Sequence, residues 1–324
     1  MSGLVEDQGD VIDWLASPAT HGGARVERID THAAHVFLTG ARAYKVKRAV
    51  RYDYLDFSTL ERRRAACEAE CLLNRRTAPS LYRRVLPVTR EADGALALAG
   101  EGDPVEWALE MTRFPQDSLF DRLAAAGRLD ASLMPALATA IATFHREAEV
   151  RRDHGGRDGM AWVVDGNAAG FAEFGGDVFP AGAAERLTEA ARAALERHGD
   201  RLEARREAGF VRHCHGDLHL RNIVLLDGAP TLFDGVEFSD AIACIDVLYD
   251  LAFLLMDLEH RGLPTHANLV LNRYLVDTDG AEGLALLPLF LSCRAAVRAK
   301  TSATAARLAS APEERAQAEA RARD

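Results

Sequence analysis

The stretch from residue 213 to residue 238 constrains this chain more than any other part of its sequence. Two short apolar runs flank the residues 227–230 (Asp-Gly-Ala-Pro), whose types are typical of a turn. The pattern predicts a β-hairpin in which the numbers of paired residues sum to about 457. That register places Asn222 opposite Asp234 or Gly235.

The two polar ends of this hairpin predict a metal site. Cross-strand neighbours have Cα atoms about 4.5–5.5 Å apart, so the amide oxygen of Asn222 and the carboxylate of Asp234 would be able to bind one cation. Mg²⁺ suits oxygen ligands and usually adds water molecules and substrate phosphates. Asp217 lies in a polar loop five residues before Asn222, where its carboxylate is suited to accept a hydroxyl proton. The stretch therefore predicts a phosphoryl-transfer site in outline.

The start of the same stretch allows a second interpretation. Four possible zinc ligands alternate along it: His213, His215, Asp217 and His219. On a strand these side chains would face one way and could bind zinc, as in a metal-dependent hydrolase. That interpretation leaves Asn222, the hairpin and Asp234 unexplained. Hydrogen bonding to loop carbonyl groups is the simpler role for the first and last of these histidines.

The order of these residues matches a pattern known from kinases, in which a His-x-Asp loop precedes an Asn and then a metal-binding Asp at the end of a hairpin. Residues 215–217 (His-Gly-Asp), Asn222 and residues 233–235 (Phe-Asp-Gly) fit that order. The form His-Gly-Asp-Leu-His-x-x-Asn resembles the aminoglycoside phosphotransferase and choline kinase-like family. Residues 246–252 (Asp-Val-Leu-Tyr-Asp-Leu-Ala) resemble another segment of that family. The resemblance covers most of the chain.

The resemblance implies an α+β, two-lobed protein-kinase-like fold. The N-lobe, residues 1–113, would bind the nucleotide with a mainly antiparallel sheet and one helix. The mainly helical C-lobe, residues 114–324, would carry the catalytic loop and the metal site. The implied activity is transfer of a phosphate group from ATP to a hydroxyl group of a small molecule. Asp217 would act as the base, and Asn222 and Asp234 would hold Mg²⁺.

Two more residues belong to the nucleotide site that the resemblance implies. The tripeptide Ala-Tyr-Lys that ends at Lys45 resembles the Ala-x-Lys of the third kinase strand, whose lysine holds the α and β phosphates. Lys47, on the same strand face, is the alternative. Glu70 lies on the inward face of a helix predicted from a capping signal at residues 58–61. It would pair with Lys45, and Glu68 is the alternative.

The sequence departs from the kinase pattern before Lys45, and this departure allows a function without catalysis. No glycine-rich loop precedes Lys45, so residues 31–34 (Thr-His-Ala-Ala) would have to cover the phosphates. A catalytically silent, nucleotide-binding regulatory module is therefore an alternative to an enzyme. The intact set of Asp217, Asn222 and Asp234 favours the enzyme.

Three short stretches resemble a subgroup in which a kinase-like domain often precedes a P-loop ATPase domain. They are Tyr44-Lys-Val-Lys, Asn74-Arg-Arg-x-Ala-Pro79 and Phe233-Asp-Gly-Val-Glu-Phe238. No Gly-x-x-x-x-Gly-Lys-Ser/Thr motif occurs in the chain. The sequence is therefore interpreted as a stand-alone protein or as the front part of a longer one, with a P-loop ATPase domain as a possible neighbour or partner.

Bulk properties exclude several classes of protein. The net charge of −10 argues against non-specific nucleic-acid binding, which needs a basic surface. The acidic N-terminus lacks the apolar run of a signal peptide, and no apolar stretch was identified that reaches the roughly 20 residues of a membrane span. Five cysteines, an odd number in a long chain, favour reduced thiols. The sequence predicts a cytoplasmic protein that acts on a small molecule, without a membrane or nucleic-acid partner.

The predicted C-lobe contains three weaker expectations. Residues 151–180 hold paired glycines and a proline, which predict a loop with little regular structure. Residues 242–258 predict one apolar helix, on which Asp246 or Asp250, by resemblance, supports the backbone of the catalytic loop. Residues 313–324 predict a polar helix.

Overall fold

The fold is taken from a computed structural model that describes residues 3–52, 55–180, 182–278, 280–308 and residue 318. The predicted polar helix at 313–324 lies outside the described residues, apart from residue 318. The chain divides into two compact units. The first unit comprises Met1–Arg128 and Arg221–Ser239, and the second comprises Leu129–Leu220 and Asp240–Asp324. The predicted lobe boundary between residues 113 and 114 is a functional division and stays a prediction.

The secondary structure alternates between short strands and longer helices. The strands are β1 (Gly3–Leu4), β2 (Val26–Asp30), β3 (Ala34–Thr39), β4 (Arg42–Lys47), β5 (Val50–Tyr52), β6 (Leu55–Asp56), β7 (Tyr82–Arg90), β8 (Leu96–Leu98), β9 (Asp103–Thr112), β10 (Val211–His213), β11 (Ile223–Leu226), β12 (Ala229–Leu232) and β13 (Cys244–Asp246). The helices are α1 (Gly9–Ala16), α2 (Leu60–Asn74), α3 (Phe120–Ala125), α4 (Met134–Glu147), α5 (Gly156–Val178), α6 (Ala183–Glu207), α7 (Asp240–Ala243), α8 (Val247–His260), α9 (Pro264–Asp277) and α10 (Leu287–Leu308).

A six-stranded antiparallel sheet organises the first unit, in the order β2-β3-β4-β9-β7-β8. Side chains alternate along β4, so Val46 packs in the cluster that contains Leu15 of α1, whereas Ala43 packs in the cluster that contains Cys71 of α2. Lys45 and Lys47 share the odd-numbered face of β4 with Ala43. The sheet therefore directs both lysines to the side on which α2 lies.

The hairpin of the first unit has a different register from the one predicted. Ile223 pairs with Leu232 and Leu226 with Ala229, so the loop is the two-residue segment Asp227–Gly228. Both loop residues have positive φ, 49° and 78°, as a tight two-residue hairpin turn requires. Because Ala229 and Pro230 belong to the strand and not to the turn, the pairing shifts by two residues and Asn222 lies opposite Phe233, not Asp234 or Gly235.

The second unit is mainly helical, and the loop predicted for residues 151–180 is wrong. Helix α5 occupies most of that segment, and its Phe171 packs with Ala296 and Ala303 of α10. A second link joins the same two helices, because Asn167 Nδ2 donates to the carbonyl of Cys293 over 3.2 Å. The burial gained by these apolar side chains outweighs the glycines, which cost a helix only about 1 kcal/mol each.

The single helix predicted for residues 242–258 is also wrong. Cys244–Asp246 forms strand β13, which pairs with β10, and α8 begins only after it. Asp246 is the residue that stops the extended strand and starts the helix, because its carboxylate accepts a hydrogen bond from Leu248 N at 2.8 Å. The same carboxylate binds the guanidinium group of Arg205 at 2.7 and 2.9 Å.

All five cysteines, at positions 67, 71, 214, 244 and 293, are buried thiols outside any disulfide. Within the described residues one segment, Gly280–Thr304, is long and apolar enough to cross a membrane by length and composition alone, which the sequence analysis did not anticipate. Its most apolar window is 44% buried, and the core helix of a globular protein passes the same test. Phe290 in this segment is fully buried with its ring 5.3 Å from that of Tyr249, so we describe it as part of the core.

Candidate active site

Strand β4 and helix α2 bring together two of the predicted site residues of the first unit. Lys45 Nζ lies 2.8 Å from Glu70 Oε1 and 2.6 Å from Asp234 Oδ1. Glu70 has no solvent exposure, so its charge needs the lysine as a counter-ion. Glu68, the alternative, is exposed on the same helix and pairs with Arg64. The arrangement places Glu70, and not Glu68, beside the lysines.

Lys47, the alternative to Lys45, occupies the adjoining part of this cluster. Its ammonium group lies 2.5 Å from Glu70 Oε2 and 2.5 Å from Glu237 Oε1, and its side chain is 4% exposed. The two lysines therefore bind the two oxygens of one glutamate. Lys45 contacts Asp234 as well, whereas Lys47 contacts Glu237, three residues further along.

Burial and neighbouring opposite charges have opposing effects on the pKa values of this cluster. Burial raises the pKa of Glu70, but the ammonium groups of Lys45 and Lys47 outweigh burial and hold that pKa at about 2. Burial lowers the pKa of Lys45, yet Asp234 and Glu70 raise it well above its ordinary value. Burial raises the pKa of Glu237, which Lys47 only partly offsets. Three carboxylates thus share two ammonium groups, and two of the carboxylates, those of Glu70 and Glu237, are buried.

Side chains of α2 and β7 hold the turn that contains Asp234. Asp234 has φ of 60°, an unusual value for a residue other than glycine. Its backbone N donates to the hydroxyl of Tyr82 at 3.0 Å, and the next backbone N, that of Gly235, donates to Asn74 Oδ1 at 2.7 Å. Asn74 Nδ2 in turn donates to the carbonyl of Glu70 at 3.0 Å. These bonds connect the backbone of the Asp234 turn to the helix that carries Glu70.

The donor set at the end of the hairpin fits a magnesium ion. The carbonyl of Asn222 accepts a hydrogen bond from Phe233 N at 3.0 Å, so Asn222 and Asp234 lie at the same end of the ladder. Their side chains offer amide and carboxylate oxygens, the ligand type that Mg²⁺ prefers. The Asp234 side chain is 42% exposed, which leaves its carboxylate accessible from solvent.

The predicted base, Asp217, lies in the second unit, in the loop that follows β10. Its carboxylate Oδ2 is 3.4 Å from His219 Nε2, and its backbone N donates to His215 Nδ1 at 3.3 Å. Desolvation raises the pKa of Asp217, but the nearby His219, His215 and Arg294 outweigh it and hold that pKa below its ordinary range. The carboxylate is therefore ionised at neutral pH, as a proton acceptor must be.

Two buried carboxylates of α8 hold the backbone of this loop. Asp250 accepts from His215 N at 3.1 Å and from Gly216 N at 2.9 Å, which confirms the supporting role expected for Asp246 or Asp250 and assigns it to Asp250. Asp257 accepts from Leu220 N at 3.0 Å at the far end of the loop. Asp250 is itself bound by His145 Nε2 at 3.0 Å.

The four residues proposed as an alternative zinc site do not form one. Among the described residues, two groups of His, Cys, Asp or Glu have ligand atoms within 4.8 Å of one another: His145–Cys214–Asp250 and His213–Asp240–Cys244. The proposed set at 213, 215, 217 and 219 is neither of these groups, and its first member, His213, groups with Asp240 and Cys244 instead. The geometry does not support the hydrolase alternative.

The sequence analysis missed several residues of the candidate site. Glu237 and Asn74 lie in stretches that were noted only as marks of a subgroup, and Tyr82 and Asp257 were not singled out. The signal for Glu237 was a charged residue between apolar neighbours, Val236 and Phe238, where a carboxylate needs a partner. Tyr82 and Asp257 bind backbone atoms over long sequence separations, which no local pattern indicates.

Comparison with known proteins places this geometry in a recognised fold. No protein-family model matches the chain. Uncharacterised proteins of Mycobacterium tuberculosis and Mycobacterium bovis are 31% identical over 274 residues, which is 84% of this chain and 53% of theirs. The chain thus spans about half the length of the curated relatives it matches.

Solved structures extend the comparison. A choline/ethanolamine kinase family protein from Mesorhizobium loti is 15% identical with a TM-score of 0.57 and covers 97% of this chain and 91% of its own. Plasmodium vivax ethanolamine kinase is 11% identical with a TM-score of 0.53, covering 96% and 86%. A thermostable mutant of aminoglycoside phosphotransferase APH(4)-Ia, in ternary complex with AMP-PNP and hygromycin B, is 12% identical with a TM-score of 0.50, covering 97% and 96%. The predicted α+β, two-lobed protein-kinase-like fold is confirmed: this chain has the fold of the choline and ethanolamine kinases and the aminoglycoside phosphotransferases.

Proposed function

We propose that this protein is an ATP- and Mg²⁺-dependent phosphotransferase that phosphorylates a hydroxyl group of a small molecule. The observation that carries the proposal is the contact of Lys45 with both Glu70 and Asp234, at 2.8 and 2.6 Å. A lysine held by a helix glutamate and adjoining a metal-binding aspartate is the arrangement by which kinases bind the phosphates of ATP. Here it occurs in a chain with the fold of small-molecule kinases.

Each residue has one role in the proposal. Lys45 holds the α and β phosphates, and Glu70 orients Lys45. Asn222 and Asp234 hold the magnesium ion, which when bound neutralises charge on the phosphates. The substrate hydroxyl oxygen forms a bond to the γ-phosphorus, the bond from that phosphorus to the bridging oxygen of ADP breaks, and Asp217 takes the hydroxyl proton.

The class of acceptor follows from the fold relatives and from the charge of the chain. The similar structures are those of choline, ethanolamine and aminoglycoside kinases by their names, and these act on hydroxylated small molecules. The net charge of −10 is compatible with a cationic acceptor. We propose a hydroxylated small molecule and no nucleic-acid or membrane partner.

The setting of the enzyme is a further part of the proposal. Five buried cysteines outside any disulfide are consistent with a reducing cytoplasm. Because the curated relatives are about twice as long as the matched region, we propose that a further domain, of the P-loop ATPase type, accompanies the kinase-like region in a longer parent or as a partner.

A silent nucleotide-binding module remains the second candidate, on one observation. The segment that replaces a glycine-rich loop forms a closed turn, in which Thr31 N donates to the Ala34 carbonyl and Thr31 Oγ1 accepts from Ala34 N, both at 2.9 Å. A turn that satisfies its own polar groups offers fewer backbone donors to phosphates.

A screen of hydroxylated metabolites separates the two candidates. We expect Mg²⁺-dependent ADP formation above the no-acceptor background with at least one compound, and a rate lower by about 10²–10⁴-fold with the Asp217→Asn variant. Saturable binding of Mg–ATP without turnover on any acceptor would favour the silent module. Absence of Mg–ATP binding would contradict both.

A further inference from the structure

Lysine is rare in this protein, and two of its lysines lie side by side. Of the 39 basic residues, lysine occurs only at positions 45, 47 and 300, and arginine accounts for all the others. An ammonium group is compact and can sit between several carboxylates, whereas guanidinium is a larger planar fork. A sequence that uses arginine almost everywhere has lysine at both positions of β4 that face Glu70.

The proposed function explains Lys45 but not Lys47. One lysine suffices to pair with Glu70 and to hold phosphates. Lys47 is nevertheless buried, and its ammonium group binds Glu70 Oε2 and Glu237 Oε1 at 2.5 Å each. Burying a charged side chain is costly unless it is paired, so a second ion pair at this point requires an explanation.

Three stretches of the sequence converge at this pair. Lys47 belongs to residues 44–47, Asn74 begins residues 74–79, and Glu237 belongs to residues 233–238, the three stretches that resemble a subgroup; none of these three residues has a role in the proposed function. Lys47 connects Glu70 with Glu237, and Asn74 bonds both the Glu70 carbonyl and the Gly235 backbone. The segment that contains Asp234 is thus attached to α2 at two points after Asp234: directly at Gly235, and through Lys47 at Glu237.

We propose that Lys47 and Glu237 are a positioning pair, which fixes the Asp234 segment to helix α2 and so sets the spacing between the metal-holding carboxylate and Lys45. The inference rests on the proposed function, since it concerns the same Mg–ATP site. Glu70 is the shared element: one oxygen binds Lys45 and the other binds Lys47. Without Lys47, Glu70 and Glu237 compete for Lys45 and draw it away from Asp234.

Substituting Lys47 and Glu237 together separates the loss of their ion pair from the change in net charge of the cluster. Lys47→Met leaves one ammonium group among three carboxylates, whereas Lys47→Met combined with Glu237→Gln leaves one ammonium group between two. The double variant therefore has the same net charge as the native cluster. Under the proposal, the double variant binds nucleotide better than Lys47→Met alone.

The experiment is a calorimetric titration of the full chain with the non-hydrolysable nucleotide AMP-PNP and Mg²⁺. We expect Lys47→Met and Glu237→Gln each to weaken Mg–AMP-PNP binding about 10–100-fold, the usual cost of losing a residue that orients a metal ligand. The Mg²⁺ concentration for half-saturation at fixed nucleotide should rise in parallel. The double variant should bind no worse than Glu237→Gln alone, because both substitutions remove the same ion pair. Lys300→Met, at the third lysine, should bind like the native protein.

Each other outcome has a separate meaning. Unchanged nucleotide and Mg²⁺ binding in Lys47→Met, or a lower thermal midpoint with no change in Mg²⁺ half-saturation, overturns the inference and leaves the proposed function intact. Losses that add in the double variant mean that Lys47 and Glu237 act independently, as they would if Lys47 bound phosphate itself, which also overturns the inference. If Lys47→Met does not fold, the near-isosteric Glu237→Gln carries the same test. Failure of the native protein to bind Mg–AMP-PNP overturns the proposed function and the inference with it.

Discussion

Two sets of candidate site residues, one in each unit, are held by different kinds of interaction: the nucleotide set of the first unit and the base set of the second. In the first unit, the Lys45 ammonium group is positioned by ion pairs with Glu70 and Asp234, whose side chains come from distant parts of the chain. In the second unit, the loop that carries Asp217 is positioned by two buried carboxylates, Asp250 and Asp257, which accept hydrogen bonds from its backbone.

This difference has a functional meaning. Side-chain ion pairs can exchange partners when a ligand brings its own charges, so Lys45 can transfer from Asp234 to a phosphate at little cost. Backbone hydrogen bonds to a buried carboxylate have no such alternative, because breaking them leaves desolvated N–H groups unsatisfied. We infer that the Lys45 ammonium group, in the nucleotide set, can change partners, whereas the loop of Asp217, in the base set, is rigid. The four predictions that follow test this contrast.

The largest effect is expected from Asp234→Asn. The substitution removes the charge that would hold magnesium, so affinity for Mg–AMP-PNP should fall by more than about a hundredfold. Asp227→Asn is the matched control, because Asp227 lies exposed at the other end of the same hairpin, also with positive φ. Calorimetry measures both, and native-like affinity in Asp234→Asn would remove this residue from the metal site.

Asp217→Asn should affect the function of the base set alone, which is turnover. A positioned base contributes about 10²–10⁴-fold to a reaction, so turnover should fall by that range once an acceptor is known. Affinity for Mg–AMP-PNP should stay native-like, because Asp217 acts on the acceptor. Steady-state rates and a nucleotide titration on the same preparation measure the two quantities. Lost nucleotide affinity here, with retained affinity in Asp234→Asn, would reverse the assignment of the two carboxylates.

The rigidity of the loop that carries Asp217 predicts an effect on the free energy of unfolding. Asp250→Ala removes the acceptor of two backbone N–H groups and the partner of His145, and should lower the free energy of unfolding by about 3–5 kcal/mol. Asp165→Ala, which removes a carboxylate that is 66% exposed and pairs with Arg192, should cost at most about 1 kcal/mol. Urea unfolding compares the two variants. Equal losses would mean that the loop does not depend on its buried carboxylate.

The smallest effect is a change in the pH dependence of stability. The pKa of Glu70 is depressed to about 2 in the folded protein, against about 4.3 in an unfolded chain. Its stabilisation is therefore present above about pH 4.3 and is lost as the pH falls towards 2, with a slope approaching about 1.4 kcal/mol per pH unit. Glu70→Gln should flatten the decline in unfolding free energy between about pH 4.3 and pH 2 by nearly that slope. Glu68→Gln, exposed on the same helix, should leave the slope as in the native protein.

Sequence reasoning succeeded where spacing along the chain carries the information. The alternation of β4 placed both lysines on one face, and helical periodicity placed Glu70 inward. It failed where the answer depends on tertiary packing. Helix α5 forms despite its glycines because Phe171 finds partners on α10, and nothing local indicates that packing.

The hairpin register shows an error of a different kind. The dipeptide Asp227-Gly228 by itself predicts a two-residue turn, but Pro230 led to a four-residue turn being expected. Proline is tolerated in a strand where its missing N–H is not needed. The role of Lys47 could not be predicted from the sequence, because two lysines on one strand face normally lie in solvent. Only the contacts with Glu70 and Glu237 in the folded chain show that Lys47 is buried and paired.

The burial of all five thiols has a practical consequence for chemical labelling. Burial raises the pKa of Cys67 to about 12 and the pKa values of Cys244 and Cys293 to about 11, so these side chains contain very little of the thiolate that reacts with maleimides. In its folded state the native chain should therefore react little with maleimides. A cysteine introduced at an exposed position, such as Ser132 or Asp165, would be the preferred point of attachment for a fluorophore that follows nucleotide binding.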